Sequence, residues 1–420
     1  MSEPFKPHSQ AEAELRQHRM AQTTILLLAQ NGAPLANQDV VVAQTRHKFL
    51  FGSNGFGFVP LANGELSGRA KELADQRQAK FFELFNFATL PFYWGRFEPR
   101  RGAPDTGRVL NGAQWCLDRG CQLKGHPLCW HTETAPWLLS LSTAEILQAQ
   151  VARIQREIRD FKGLISMWDV VNEAVIMPDF DKYDNGITRI CREHGRLNLL
   201  RIMFETARAA DPAATLLLND FDLSVAYEIL IEGCLALGLP IRAIGLQSHM
   251  HQGYWGLEKT QAILDRFARF NLPIHFTEIT LVSGHLMPPE IVDLNDYQVD
   301  EWPTTPAAEE RQAREAVECY RTLFAHPLVE AITWWDFADG GWLHAPAGLV
   351  RSDATVKPAY EALHHLVKDE WWLPPTRFPT DAAGQLHFSG YLGDYELTWN
   401  EKKLSFTLGP KGTAALTLRF

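Results

Sequence analysis

The chain has 420 residues, 46% of them hydrophobic, and a formal net charge of −10, so its length allows one large domain with an appendage or two to three smaller ones. An acidic balance without a basic run argues against nucleic acid or an anionic membrane surface as partner and favours neutral or weakly charged ligands. The six cysteines (Cys116, Cys121, Cys129, Cys191, Cys234, Cys319) form no Cys-x-x-Cys pair. Neither a zinc ribbon nor a disulfide scaffold is indicated, and buried free thiols are expected. Met1 to His8 show no basic stretch leading into an apolar one, and no segment reaches about 18 apolar residues. The expectation is a chain without a targeting address, either cytoplasmic or secreted with its signal removed, with no membrane partner and an oligomeric state that the sequence leaves open.

At the N-terminus, Thr23 to Ala29, a turn at Asn31-Gly32 and Val40 to Gln44 read as a β-hairpin. From about residue 48 to 368 the chain repeats a short apolar strand, a loop and a helix. Eight strands are expected near Phe49 to Gly52, Phe85 to Leu90, Gln122 to His126, Ser166 to Val171, Thr215 to Asn219, Ala243 to Gln247, Ile274 to Thr277 and Ala331 to Trp335. Helical patterns lie between them at Arg69 to Phe85, Thr143 to Phe161, Leu197 to Ala210, Ser224 to Leu237, Leu257 to Phe270 and Ala307 to Ala325. Alternating strands and helices in that number predict an α/β fold, a (β/α)8 TIM barrel. After Pro374-Pro375, a boundary signal, short strands follow at Gln385 to Ser389, Glu396 to Trp399, Leu404 to Leu408 and Ala414 to Leu418. The expected organisation is an N-terminal hairpin over residues 1–47, a barrel over 48–370 and a β-rich segment over 371–420. Both ends are expected to combine into one small β-sandwich, either a carbohydrate-binding module or a structural cap.

Two acidic residues stand where strands end, Glu173 in Trp168-Asp169-Val170-Val171-Asn172-Glu173 and Glu278 in Ile274-His275-Phe276-Thr277-Glu278. They are 105 residues apart, roughly three βα units, and strands three apart in a barrel can aim their C-terminal ends into one pocket. One carboxyl held protonated beside one ionised is the pair that retaining glycosidases require. A structural role for either carboxyl alone remains open at this stage. The 13 Trp and 24 Phe offer flat faces for sugar rings, although core packing accounts for most of them. His249 and His251 lack the spacing of a metal-ligand set; no metal and no cofactor are expected.

Trp168 to Ala174, Phe276-Thr277-Glu278, Gly125 to His131, Gly245-Leu246-Gln247-Ser248-His249 and Thr333-Trp334-Trp335 with Trp342 together resemble the motifs of glycoside hydrolase family 10, the endo-1,4-β-xylanase family. The resemblance implies a TIM barrel and a retaining double displacement on xylan or xylo-oligosaccharides, with Glu173 as acid/base and Glu278 as nucleophile. Asn172 would bond the sugar 2-hydroxyl, His249 would donate to Glu278, and Gln247 would approach Glu173 or the substrate. His126 and Trp130 would line the sugar site, Trp335 and Trp342 would give it floor and lid, and Asn219 with Asp220 would orient the acid/base side. Two other readings stand beside this one: a β-glycosidase for another β-linked glycoside, and a weakly active carbohydrate-binding protein.

The sequence departs from the family pattern in three places. Where the second-strand loop of the family carries Glu-Asn-x-x-Lys to grip a second sugar, this chain has Phe87 to Arg96, with Tyr93 and Trp94 as candidate substrate contacts. Thr280 replaces an Asp after the nucleophile, and Asp336 replaces a small residue after Trp335.

Overall fold

The computed structural model describes residues 15–410 and 416–420. Its centre is a closed barrel of eight parallel strands: β3 (Leu50–Asn54), β4 (Phe87–Pro91), β5 (Gln122–His126), β6 (Met167–Asn172), β7 (Thr215–Asp220), β8 (Ala243–Met250), β9 (Ile274–Leu281) and β10 (Val329–Trp334). They pair in chain order, with β10 returning to β3. The strands read as apolar runs because both faces are covered, the inner by barrel side chains and the outer by helices. β6 and β9 are buried along their whole length.

The helix Thr143–Asp160 begins where its sequence predicts: Ser142 and Glu145 form a reciprocal capping box, which satisfies two backbone donors at the helix start. The longest helices that were not anticipated are Thr106–Leu117 and Gly186–His194. The first contains Gly107 and Gly112, and a Cβ at Gly112 would come within 3.0 Å of Val59. That glycine trades helix propensity for close packing.

The terminal segments form two sheets around a shared core. One is three-stranded, in the order β12 (Gln385–Tyr391), β1 (Met20–Leu28), β15 (Leu416–Arg419). The other is four-stranded, in the order β11 (Thr376–Pro379), β2 (Asp39–His47), β13 (Gly393–Trp399), β14 (Lys402–Leu408). The expected hairpin is therefore corrected. The turn exists, with Gly32 N–H bonded to Ala29 O at 2.8 Å, but β1 and β2 belong to opposite sheets. Their apolar faces, Ile25 and Leu27 on one and Val40 and Val42 on the other, share a core with Leu386, Tyr395 and Leu397. Stacking buries both faces, which edge-to-edge pairing would leave half covered. Of the expected strand from Ala414, the first two residues lie outside the described residues.

By compactness the chain divides into two units. One holds the described residues up to Leu50 with Ala313–Pro327 and Pro358–Phe420; the other holds Phe51–Gln312 and Leu328–Lys357. All residues of the site below belong to the second. All six cysteines are buried free thiols. Among the described residues no helix is long and apolar enough to cross a membrane, and no group of three or more His, Cys, Asp or Glu side chains could hold a metal ion.

Candidate active site

Strand register sets up the site before any side chain is considered. Asn172 of β6 lies opposite Asn219 of β7. Gln247 and His249 of β8 lie opposite Glu278 and Thr280 of β9. Glu173 follows β6 directly and adopts φ 55°, a left-handed conformation uncommon for a residue with a Cβ. Its N–H is tied to Asn219 O at 2.8 Å, which fixes the strand exit there. Gly245 is glycine for a local reason: a Cβ would stand 2.3 Å from the Asn219 Oδ1, so only hydrogen lets that side chain reach the pocket.

A connected polar network joins the two carboxyls. Asn219 Nδ2 donates to Asn172 Oδ1 at 2.8 Å and to Glu278 Oε1 at 2.9 Å, while Thr277 donates to Asn219 Oδ1 at 2.6 Å. Gln247 Nε2 lies 3.1 Å from Asn172 Oδ1 and 3.3 Å from Glu173 Oε1. Trp130 Nε1 donates to Glu173 Oε2 at 2.7 Å, and Asn172 Nδ2 to Oε1 at 3.2 Å. His249 Nε2 is 3.0 Å from Glu278 Oε2, and its Nδ1 is 2.9 Å from the Thr280 hydroxyl.

Burial pushes the Glu173 carboxyl up to about 8; the Trp130 donor opposes this, and the Glu278 charge adds to it. Burial also raises Glu278, to about 7, but His126 and Lys124 pull against it, as does the Asn219 hydrogen bond. The two environments therefore separate the pair, with Glu173 the better proton holder. Burial lowers His249 to about 3, so the imidazole is neutral. Behind the floor, Lys124 Nζ and His126 Nδ1 each lie 2.7 Å from Asp169 Oδ2. Although burial raises the Asp169 carboxyl, Lys124 and His126 outweigh it and hold the group below its usual range; the buried carboxylate in turn fixes the His126 ring.

Aromatic rings surround this network. Tyr93 meets His126 at 5.7 Å and Trp130 at 5.6 Å between centroids. Trp335 meets His126 at 5.4 Å and His249 at 6.0 Å, and Trp342 lies over His249 at 4.5 Å. Asp220, at the end of β7, accepts from Val175 N at 3.0 Å, in the segment that follows Glu173. His126, Trp130, Asn172, Asn219, Gln247, His249, Trp335, Trp342 and Tyr93 are thus brought together around Glu173 and Glu278.

Trp94 is not among them. It is 4% exposed, its indole donates to Glu98 at 3.1 Å and its ring packs on Trp137 and beneath Arg153. It is the first residue of the short helix Trp94–Phe97, so its side chain turns away from that of Tyr93. Besides Lys124, Asp169, Thr277 and Thr280, three more neighbours fell outside the expected set. His131 Nε2 is 4.0 Å from Glu173 Oε2. Asp336 accepts from Trp342 N at 2.9 Å. Phe56, in the loop after β3, contacts both Tyr93 and Trp335. An aromatic residue between two glycines at the end of a barrel strand was the available signal for Phe56.

Residues 73–366 match the profile of Glycosyl hydrolase family 10. The chain belongs to that family. The anti-sigma-I factor RsgI6 of Acetivibrio thermocellus is 26% identical over 402 residues, covering 93% of this chain and 46% of that relative. Endo-1,4-beta-xylanase C of Paenibacillus barcinonensis is 25% identical over 355 residues, covering 70% of this chain and 31% of that protein. The chain therefore spans less than half the length of either relative. Among solved structures of the family, xylanase 10B from Thermotoga petrophila RKU-1, in complex with xylobiose, aligns with a TM-score of 0.62 at 21% identity, covering 77% of this chain and 95% of that one. The family 10 structure from Paenibacillus barcinonensis aligns at 0.61 and 23% identity, over 77% of this chain and 96% of that one. The barrel of this chain is the fold that family 10 members share.

Proposed function

We propose that the chain is a retaining, endo-1,4-β-xylanase-like glycoside hydrolase acting on xylan or xylo-oligosaccharides, with Glu278 as nucleophile and Glu173 as acid/base. The observation that carries this reading is the unequal environment of two carboxyls tied into one hydrogen-bond network. Glu278, with Asn219 and His249 donating to its two oxygens, is the group held ready as a carboxylate. It attacks the anomeric carbon as the bond to the leaving oxygen breaks, and Glu173 gives its proton to that oxygen. The glycosyl–Glu278 ester removes one negative charge from beside Glu173. Glu173, now ionised, takes a proton from water, the water oxygen attacks the anomeric carbon, and Glu278 departs as carboxylate.

Membership of family 10 and the xylanase names among its relatives support the substrate class. Asn172 would bond the sugar 2-hydroxyl in this reading; its bonds to Asn219, Gln247 and Glu173 support a fixed orientation beside the two carboxyls.

The test is a leaving-group series. Glu173→Ala should slow hydrolysis of glycosides with poor leaving groups far more than that of activated aryl glycosides, which need little protonation. A 2-fluoro glycosyl inhibitor should label Glu278. Equal losses across the series, or a label on another residue, would remove this assignment.

A further inference from the structure

Five rings form a continuous belt that begins at one carboxyl and ends at the other. Trp130 donates to Glu173; Trp130 meets Tyr93 at 5.6 Å, Tyr93 meets Phe56 at 5.6 Å, Phe56 meets Trp335 at 5.7 Å and Trp335 meets His249 at 6.0 Å; His249 reaches Glu278. The elements involved are the loops after β5, β4 and β3, the residue after β10, and β8. Phe56 stands edge-on to both its neighbours, with interplanar angles of 88°. At such spacings edge-to-face rings are in van der Waals contact, so no sugar ring passes between them.

A sugar held between the two carboxyls would lie inside the belt. Only the sugar under attack touches both carboxyls: its anomeric carbon meets Glu278 and its glycosidic oxygen meets Glu173. The leaving group touches Glu173 alone. A β-1,4-linked chain continues roughly in the plane of each ring, because both bonds are equatorial. A second sugar on the non-reducing side of the enclosed one would therefore run into Tyr93, Phe56 and Trp335, whereas the arc over β6 and β7, which the belt does not cross, leaves room for the leaving group.

From this we infer that Phe56, with Tyr93 and Trp335, ends the row of sugar sites after a single sugar, so that the enzyme removes one unit at a time from the non-reducing end of short β-linked chains. This rests on the retaining chemistry and the β-xyloside substrate class proposed above, and puts cutting from the chain end in place of endo cutting. It also gives the altered second-strand loop a purpose, since a loop that no longer faces a second sugar needs no charged grip. Phe56 acts by exclusion and is a specificity residue.

The deciding experiment compares an aryl β-xyloside with the aryl β-xylobioside of the same leaving group on the full chain. The wild type is expected to hydrolyse the xyloside with kcat/KM equal to or above that of the xylobioside. Phe56→Ala, and separately Tyr93→Ala, should raise the xylobioside-to-xyloside ratio about tenfold as a second sugar gains room. A wild-type preference for the xylobioside, or a ratio that neither variant moves, overturns the inference. Should neither compound be hydrolysed, the proposed function fails instead. The wall is then read by titrating pocket tryptophan fluorescence with the same two compounds, where tighter binding of the xylobioside by the wild type would overturn it.

Discussion

The hydroxyl of Thr280 stands 2.9 Å from Nδ1 of His249, on the neighbouring strand at the same level of the barrel. An ionised Glu278 can only accept, so His249 must carry its proton on Nε2, which leaves Nδ1 to accept from Thr280. A neutral imidazole thus suffices to hold the proposed nucleophile, in keeping with the low proton affinity that burial imposes on His249. The replacement of the family's Asp by Thr at this position sets the tautomer. Thr280→Val keeps the shape but removes the hydroxyl; kcat on an aryl glycoside should fall several-fold, and the acid limb of the pH profile should move upward as Glu278 loses a properly aimed donor. Thr280→Asp should do the reverse to the acid limb. It favours an imidazolium 3.0 Å from Glu278, and an opposite charge that close lowers a carboxyl by about one pH unit or more. An acid limb that stays put in both variants would show that Thr280 has no hold on the nucleophile.

The two carboxyls also predict the whole pH profile. In the proposed mechanism the competent form has Glu278 ionised and Glu173 protonated, with values of about 7 and about 8. Accordingly kcat/KM should rise through the first and fall through the second, giving a narrow bell. Trp130→Phe removes the indole N–H at Glu173 Oε2. Because that bond favours the charged form, its loss should shift the alkaline limb to higher pH while lowering kcat. Profiles measured from pH 5 to 10 decide this, and an alkaline limb unmoved by Trp130→Phe would break the assignment of that limb to Glu173.

How much of this was readable beforehand depends on the kind of information each feature needs. The eight barrel strands were legible because strands buried on both faces are apolar runs, and Gln122–His126 has the predicted bounds. Strand ends were less so: β8 continues through Ser248 and His249 to Met250, and polar residues inside a strand look like a loop until a pocket is known to face them. The hairpin failed because alternation identifies a strand but not its partner. Tyr93 and Trp94 look equivalent in sequence, and only the helical turn that begins at Trp94 sends one into the pocket and the other into the core. Phe56 acquires its meaning from Tyr93 and Trp335, which lie on other strands.

Stability should carry the mark of the active site. Glu173 and Glu278 both have folded values above the ordinary 4.5, so between that value and about 8 the native state binds more protons than the unfolded chain. Their contribution is fully present below about 4.5 and is lost as the pH rises through the folded values. Glu173→Gln removes the charge while keeping the shape, and should raise Tm relative to the wild type at pH 8.5 far more than at pH 5, by the equivalent of about 4 kcal/mol. Thermal melts at the two pH values test this; a Tm difference independent of pH would mean that the buried carboxyl is not under the stated strain.

Asp336 connects a departure in the sequence to the proposed sugar site. One of its oxygens accepts from Trp342 N at 2.9 Å and the other from Asn54 Nδ2 at 3.3 Å, and a Cβ on Gly341 would stand 2.3 Å from the carboxyl. The carboxyl thus clamps the loop that lays Trp342 over His249. Asp336→Ala strips the Trp342 N–H of its acceptor at a site only 8% exposed, which costs about 1–3 kcal/mol, while Asn54 keeps its bond to Trp335 O. The same change lets Trp342 leave its place. KM should rise several-fold with kcat less affected, because the ring shapes the pocket without touching a proton in transfer. Asp336→Asn keeps an acceptor for one of the two donors and should recover part of the lost affinity. Steady-state kinetics of the three forms on one aryl glycoside, with tryptophan emission to report the loop, settle the matter: an unchanged KM in Asp336→Ala would show that Trp342 is held by its other bond, from Nε1 to Asn295 at 3.2 Å.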